Sequence, residues 1–248
     1  MNRSSSAARA MCARSTIAVF VAAVLCLAVG FSAFAGTAVA APKVIVIDAG
    51  HQGRANLGLE PVGPGSKAKK PKVAGGATGV STHKAESLVN LQVANRLAAQ
   101  LKKRGFKVIM IRTSQNVNIP NSTRAKVANK AKAALIIHLH CDSAGSSTKG
   151  LLVIVPGKDK WTGPILTSST RAGKAIQKFT LASTSARNRG ISKRTDLVGF
   201  NYSTVPSVFV EMGLMSNPAE DKKLSTAAYQ DKLAVGMANG IKAYVSGK

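Results

Sequence analysis

The chain is poor in aromatic residues, in acids and in cysteine, and each shortage excludes something. Phe, Tyr and Trp make up 4% of 248 residues, with one tryptophan, Trp161. Stacking on nucleic-acid bases needs aromatic rings. That partner is therefore not expected, despite a formal charge of +25. Acids number only 10 against 35 Lys and Arg. Of the three cysteines, Cys12 and Cys26 precede residue 41 and only Cys141 follows it. Beyond residue 40 no intramolecular disulfide can form, and a Cys2His2 metal site is excluded. Histidines number four, His51, His83, His138 and His140. The run "HLHCD" at 138–142 imitates the start of a two-metal hydrolase site, but no histidine follows to complete one.

Charge is also missing locally. No charged residue occurs between Ser15 and Pro42, whereas Arg3, Arg9 and Arg14 precede that span. The apolar run "TIAVFVAAVLCLAVGFSAFA" leads to "AVAAP". Basic, apolar, then small residues is the order of a secretory signal. Residues 1–40 are read as that signal, with Ala38 and Ala40 as the small pair and cleavage before Ala41. "AFA", ending at Ala35, is a second possible site. The alternative is an uncleaved membrane anchor, since the run approaches the roughly 20 residues that span a bilayer. Either reading predicts an exported protein, secreted or associated with the cell wall. Residues 41–248 then suffice for a single domain. That part holds 32 of the cations and all ten acids, a surplus of 22. Such a field draws a protein to polyanions. Acidic wall polymers or an anionic membrane surface suit an exported chain. Nothing in the sequence requires an oligomer, and a monomer is expected.

Strand and helix patterns alternate along this part. "KVIVIDAG" at 43–50 is a β-branched run ending in glycine, the mark of a buried strand and turn. Residues 52–81 are rich in Gly, Pro and Lys and read as one long loop, able to move over a site. A helix is predicted from about Lys84 to Arg104, with Leu88, Leu91, Ala94, Leu97, Ala98 and Leu101 as its apolar stripe. Strands are predicted at 106–112, 133–140, 150–157 and 205–213. Helices are predicted at 121–132, 163–183 and 226–245. This is an α/β fold: one mostly parallel, twisted sheet flanked by helices. In such sheets the site lies beyond the carboxyl ends of the strands.

Three predicted strand ends carry chemistry: His51, His140 and Glu211. Glu86 sits in the first turn of the long helix. Two imidazoles and a carboxylate form the ligand set of many catalytic zinc sites. That leaves Glu211 free to move a proton. Side chains alternate along a strand, so His138 and His140 share a face while Cys141 faces away. His138 lies one pleat back from the strand's end and is expected to support the site or pack beside it, not to bind metal. Cys141 is expected to pack and Asp142 to sit in a loop at the rim. Asp48 is a candidate to orient a ligand imidazole, with a buried acid satisfying a turn as the alternative. Arg112 is expected to form a structural ion pair, with a substrate carboxylate as the alternative partner. His83 is expected to be exposed, Trp161 to anchor packing, and Asn217 before Pro218 to cap a helix.

"VIVIDAGHQG", "ESLVNLQVANRLAAQLKKRGFKVIMIR", "AALIIHLHCDSA" and "VPSVFVEMGLMSNPAED" together resemble the zinc-dependent N-acetylmuramoyl-L-alanine amidases of bacterial cell walls, the amidase-3 type. The resemblance runs from Lys43 to the end. It implies one zinc ion per chain, held by His51, Glu86 and His140, and a catalytic Glu211. The implied substrate is peptidoglycan, cut at the amide between N-acetylmuramic acid and L-alanine. One departure is "HCD", where the family usually has a small residue in place of Cys141. Another wall-active peptidase or deacetylase, or a non-catalytic wall-binding protein on the same fold, are the alternatives at this stage.

Overall fold

A computed structural model of the chain describes residues 41–247. The signal reading of residues 1–40, with Cys12 and Cys26, lies outside them. Six strands form the main sheet: β1 (Val44–Ala49), β4 (Lys107–Met110), β5 (Leu135–Asp142), β6 (Leu151–Pro156), β7 (Asn188–Arg194) and β8 (Ser207–Leu214). Their order is β4-β1-β5-β8-β6-β7. All neighbours are parallel except β6, which runs antiparallel to β8. The helices are α1 (Glu86–Lys103), α2 (Asn121–Lys130), α3 (Leu166–Thr184), α4 (Val198–Asn201), α5 (Pro218–Leu224) and α6 (Ala227–Val245). Among the described residues no helix is long and apolar enough to cross a membrane.

The sheet's two faces differ in kind. Ile45, Ile47 and Ala49 of β1, with Ile137 and Leu139 of β5, point to one face and meet α1, α3 and α6. This is the main core. On α1 the inward residues are Val89, Val93, Leu97 and Leu101, whereas Leu88 is 37% exposed. The predicted stripe was thus displaced at its start, and the helix opens at Glu86 rather than Lys84. Two glycines let α6 lie close on α3. A Cβ on Gly236 would fall 2.6 Å from the Cα of Thr180, and one on Gly240 2.6 Å from the Cα of Ile176. The opposite face starts with a small apolar cluster, Val46, Ile136 and Ala128. Two residues further along, the same face carries Asp48 and His138, then His140 and Glu211. Polar chemistry therefore occupies the face left free by the large helices.

Residues 52–81 are not one loop. They contain an antiparallel hairpin, β2 (Asn56–Pro61) and β3 (Lys69–Val73). Leu57 and Leu59 point outward at 70% and 59% exposure, and prolines sit in both strands. Pattern and propensity argue against strands here, and distant contacts decide. The buried Glu60 carboxylate accepts the Ser122 amide at 3.2 Å, and Lys70 pairs with Asp196 at 2.7 Å. Trp161 lies against Gly63 and donates its indole N–H to the Pro64 carbonyl at 3.0 Å. The tryptophan is thus a packing anchor, as read. Strand β7 and the short α4 were not anticipated. Every residue of β7 is at least partly exposed, so its apolar signal is weak.

Candidate active site

Each site residue is placed by a different local device. His51 follows β1 by two residues and has a left-handed backbone, φ 57°. Its ring lies edge-on to that of His140, centroids 4.8 Å apart. Gly50 makes this approach possible, because a Cβ there would fall 2.3 Å from the His140 ring. His51 Nδ1 donates to the Ala74 carbonyl at 2.8 Å. That bond fixes the ring so that Nε2 faces Glu86 Oε2, 3.3 Å away. Ala74 directly follows β3, so the hairpin orients a site imidazole. The sequence carried no signal for this contact, which spans 23 residues of Gly- and Lys-rich chain.

Glu86 is the first residue of α1 and is 3% exposed. Its carboxylate accepts the amides of Ala77 (2.8 Å) and Cys141 (3.0 Å) and the side-chain amide of Asn90 (3.2 Å). Oε1 also faces His140 Nδ1 at 3.1 Å. Burial would raise this carboxyl, but the bonds and charge of His140 and His51 hold it well below the usual carboxylate range. His140 shifts upward in turn: burial opposes its charge, and Glu86 outweighs burial. His51, Glu86 and His140 bring donor atoms within 4.8 Å of one another, a set able to hold a metal ion.

Glu211 lies beside them, level with His140 across the β5–β8 pairing. It sits within β8 rather than at its end, and His140 likewise lies inside β5. Glu211 Oε2 is buried with no hydrogen-bond partner. Burial, reinforced by the nearby Glu86 charge, pushes its carboxyl up to about 7. A carboxyl with an unpartnered oxygen and a raised pKa, set in a cleft, is poised to exchange a proton near neutral pH.

The supporting residues behave differently from expectation in three cases. Asp48 bonds His138, not an imidazole of the cluster: Oδ2 meets His138 Nδ1 at 2.8 Å and Oδ1 meets Arg124 at 2.7 Å. The β1–β5 register sets Asp48 directly beside His138. His138 is 2% exposed, reaches Ser207 Oγ at 3.2 Å and stacks on Phe209 at 4.0 Å. Both its nitrogens are occupied, and burial lowers its pKa. Arg112 has neither a carboxylate partner nor access to substrate. At 2% exposure it donates to the carbonyls of Ala49, Gly50, Ser87 and Ser114. It clamps the β1 turn to α1, since four carbonyl oxygens there point inward and need donors. Asp142 closes β5 instead of lying in a loop, and pairs with Arg189 at 2.9 Å. Cys141 is buried, His83 is exposed, and Asn217 caps α5 by accepting the amides of Ala219 and Glu220. Arg124 and Asn90, both central here, were not singled out. Their signal was weak: each is a polar residue within a helix pattern.

A mostly parallel α/β domain, with a metal-competent cluster and an unpartnered carboxyl oxygen toward the carboxyl ends of its strands, is the class these features define. The chain belongs to the Amidase_3 family, N-acetylmuramoyl-L-alanine amidase, whose sequence model matches residues 45–243. It is 28% identical to N-acetylmuramoyl-L-alanine amidase Rv3717 of Mycobacterium tuberculosis, over 87% of this chain and 91% of that protein. Among solved structures, the catalytic domain of the amidase CwlV from Bacillus (Paenibacillus) polymyxa matches with a TM-score of 0.66 and 26% identity. It covers 83% of this chain and 99% of that one. The fold is also that of the amidase Ami1 from Mycobacterium smegmatis, TM-score 0.73 at 24% identity, over 84% and 99% of the chains.

Proposed function

We propose that the protein is an exported, zinc-dependent N-acetylmuramoyl-L-alanine amidase acting on peptidoglycan. One observation carries the chemical reading: a cation-competent His51–Glu86–His140 cluster stands beside a carboxyl with no partner of its own. Two imidazole nitrogens and a carboxylate oxygen are the donors a catalytic zinc takes. The same ion would relieve the repulsion between Glu86 and Glu211. When bound, zinc supplies a Lewis acid that polarises the scissile carbonyl and acidifies water. Glu211 takes the proton of the attacking water and returns it to the leaving amine of L-alanine. The Ala74 carbonyl keeps the His51 ring in the tautomer with Nε2 bare. Asn90 and the Cys141 amide hold Glu86 still. Asp48, fixed by Arg124, keeps His138 in place beneath the site.

Digestion of purified peptidoglycan with and without a chelator tests this reading. New L-alanine amino termini, lost on chelation, are expected; released acetate or cut stem peptides instead would reject it. The ligand assignment has its own test. His140→Ala should lose bound zinc, whereas His138→Ala should keep it and lose only stability. Metal analysis of the two purified variants decides, and the reverse pattern would overturn the assignment. Export through residues 1–40 and attraction to acidic wall polymers complete the proposal, the second resting on the surplus of 22 positive charges.

A further inference from the structure

Few acids remain on the surface to offset the cations, because most are buried or ion-paired. Five of the ten are buried (Asp48, Glu60, Glu86, Glu220 and Asp221). Three more are ion-paired: Asp142, Asp196 and Asp231. Glu211 lies in the cleft. The exterior is left to cations, and in one place they converge on a concavity. Lys158, Arg171, Lys174 and Lys193 line a groove of about 550 Å³, with Leu166, Thr167 and Thr170 as its other lining. All four cations are exposed, and none has a carboxylate partner among the described residues. Asp159, the nearest acid in sequence, turns its carboxylate onto the Lys160 amide. Arg171 is held with its guanidinium 5.2 Å from the centre of the Tyr244 ring, so part of the groove is pre-set.

The groove's position separates it from catalysis. Leu152, near the start of β6, pairs with Glu211. Because β6 runs antiparallel to β8, its far end, and the Lys158 that follows, lie at the opposite end of the sheet from the cluster. Lys193 lies near the end of β7, level with Val155 of β6. A cation on an edge strand also discourages edge-to-edge pairing, which accounts for Lys193 but not for the three cations off the strand. We propose that this groove is an exosite for a linear polyanion of the wall, whose repeating phosphate or carboxylate groups seat along the four cations and keep the enzyme on its substrate. A flat membrane fits it poorly. The site is concave, and the exposed large apolar residues, Leu57, Leu59, Val80 and Leu88, all lie elsewhere.

The inference rests on the wall-amidase reading only for where such a polymer is met; the binding itself is measured apart from turnover. Three purified proteins are compared: wild type, a variant with all four groove cations changed to Gln, and a control with Lys102, Lys103, Lys107 and Lys130 changed to Gln. A triple variant keeping Arg171 guards against loss of the Tyr244 contact. Probes are linear polyphosphate, poly-L-glutamate and phosphatidylglycerol vesicles. The groove variants should bind both polymers at least about tenfold more weakly, with a shallower salt dependence, while the control loses less than about threefold. Cleavage of a soluble muropeptide should be equal in all. Equal losses in groove and control variants would overturn the exosite, as would a loss seen with vesicles alone. Absent turnover with groove-specific binding intact would instead sink only the amidase reading.

Discussion

Glu211→Gln is expected to lower turnover by roughly 10²–10⁴-fold, the usual worth of a positioned general acid–base. Zinc content should be unchanged, because Glu211 lies outside the proposed ligand set. The substitution should also stabilise the metal-free protein, and the sign follows from the pKa. The folded value, about 7, lies above the ordinary 4.5. Between those values the folded state holds a proton that the unfolded state has released. Stability therefore falls as pH rises through that window, by up to about 3 kcal/mol. Glutamine removes this loss. Thermal melts of metal-free wild type and variant should agree near pH 4.5 and diverge by pH 8, with the variant higher. Parallel curves at all pH values would show that Glu211 has ordinary acidity and undercut its role.

Breaking the Arg124–Asp48 pair should have the largest effect on stability. Arg124 is 1% exposed and donates to Asp48, to the carbonyls of Ala49, His51 and Ile119, and to Gln52. Burial works against the Asp48 charge, yet Arg124 and His138 hold its carboxyl well below the usual range. Arg124→Met strands that carboxylate in the interior. A cost of about 3–5 kcal/mol is expected, roughly 10 °C in melting temperature for a domain of this size. The depressed pKa sets the pH dependence. The contribution is present above the unfolded carboxylate value and is lost as pH falls below about 4. Wild type and variant should thus converge in urea melts under acid conditions. A difference independent of pH would assign the loss to packing rather than to the pair.

Legibility in the sequence followed the range of the interaction. β1, β5 and β8 were readable because most of their residues are buried on both faces, leaving apolar runs interrupted by few polar residues. His51 and Glu86 were readable because each sits at the edge of a strand or helix pattern, and His140 and Glu211 because each interrupts an apolar strand pattern in its carboxyl half. The hairpin was not, since β2 and β3 expose their leucines and carry prolines. Their pairing depends on Ser122, Trp161 and Asp196, which are remote in the chain. The partner of Asp48 was misjudged for a related reason. Strand alternation limits which face a residue points to, but not which of two histidines on that face it meets.

The sequence by itself determined the α/β class, the placing of the chemistry toward the carboxyl ends of the strands, the excess of positive charge and the family. Those depend on local pattern and residue type, which a linear reading retains. Only the tertiary structure decided that Arg112 clamps carbonyls, that Arg124 anchors Asp48 and His138, and that the hairpin sets the His51 ring. It alone also gathered Lys158, Arg171, Lys174 and Lys193 into one groove. Each of these is a meeting of groups distant in sequence, and hydrogen bonds and charges act through space, over distances the chain order does not encode.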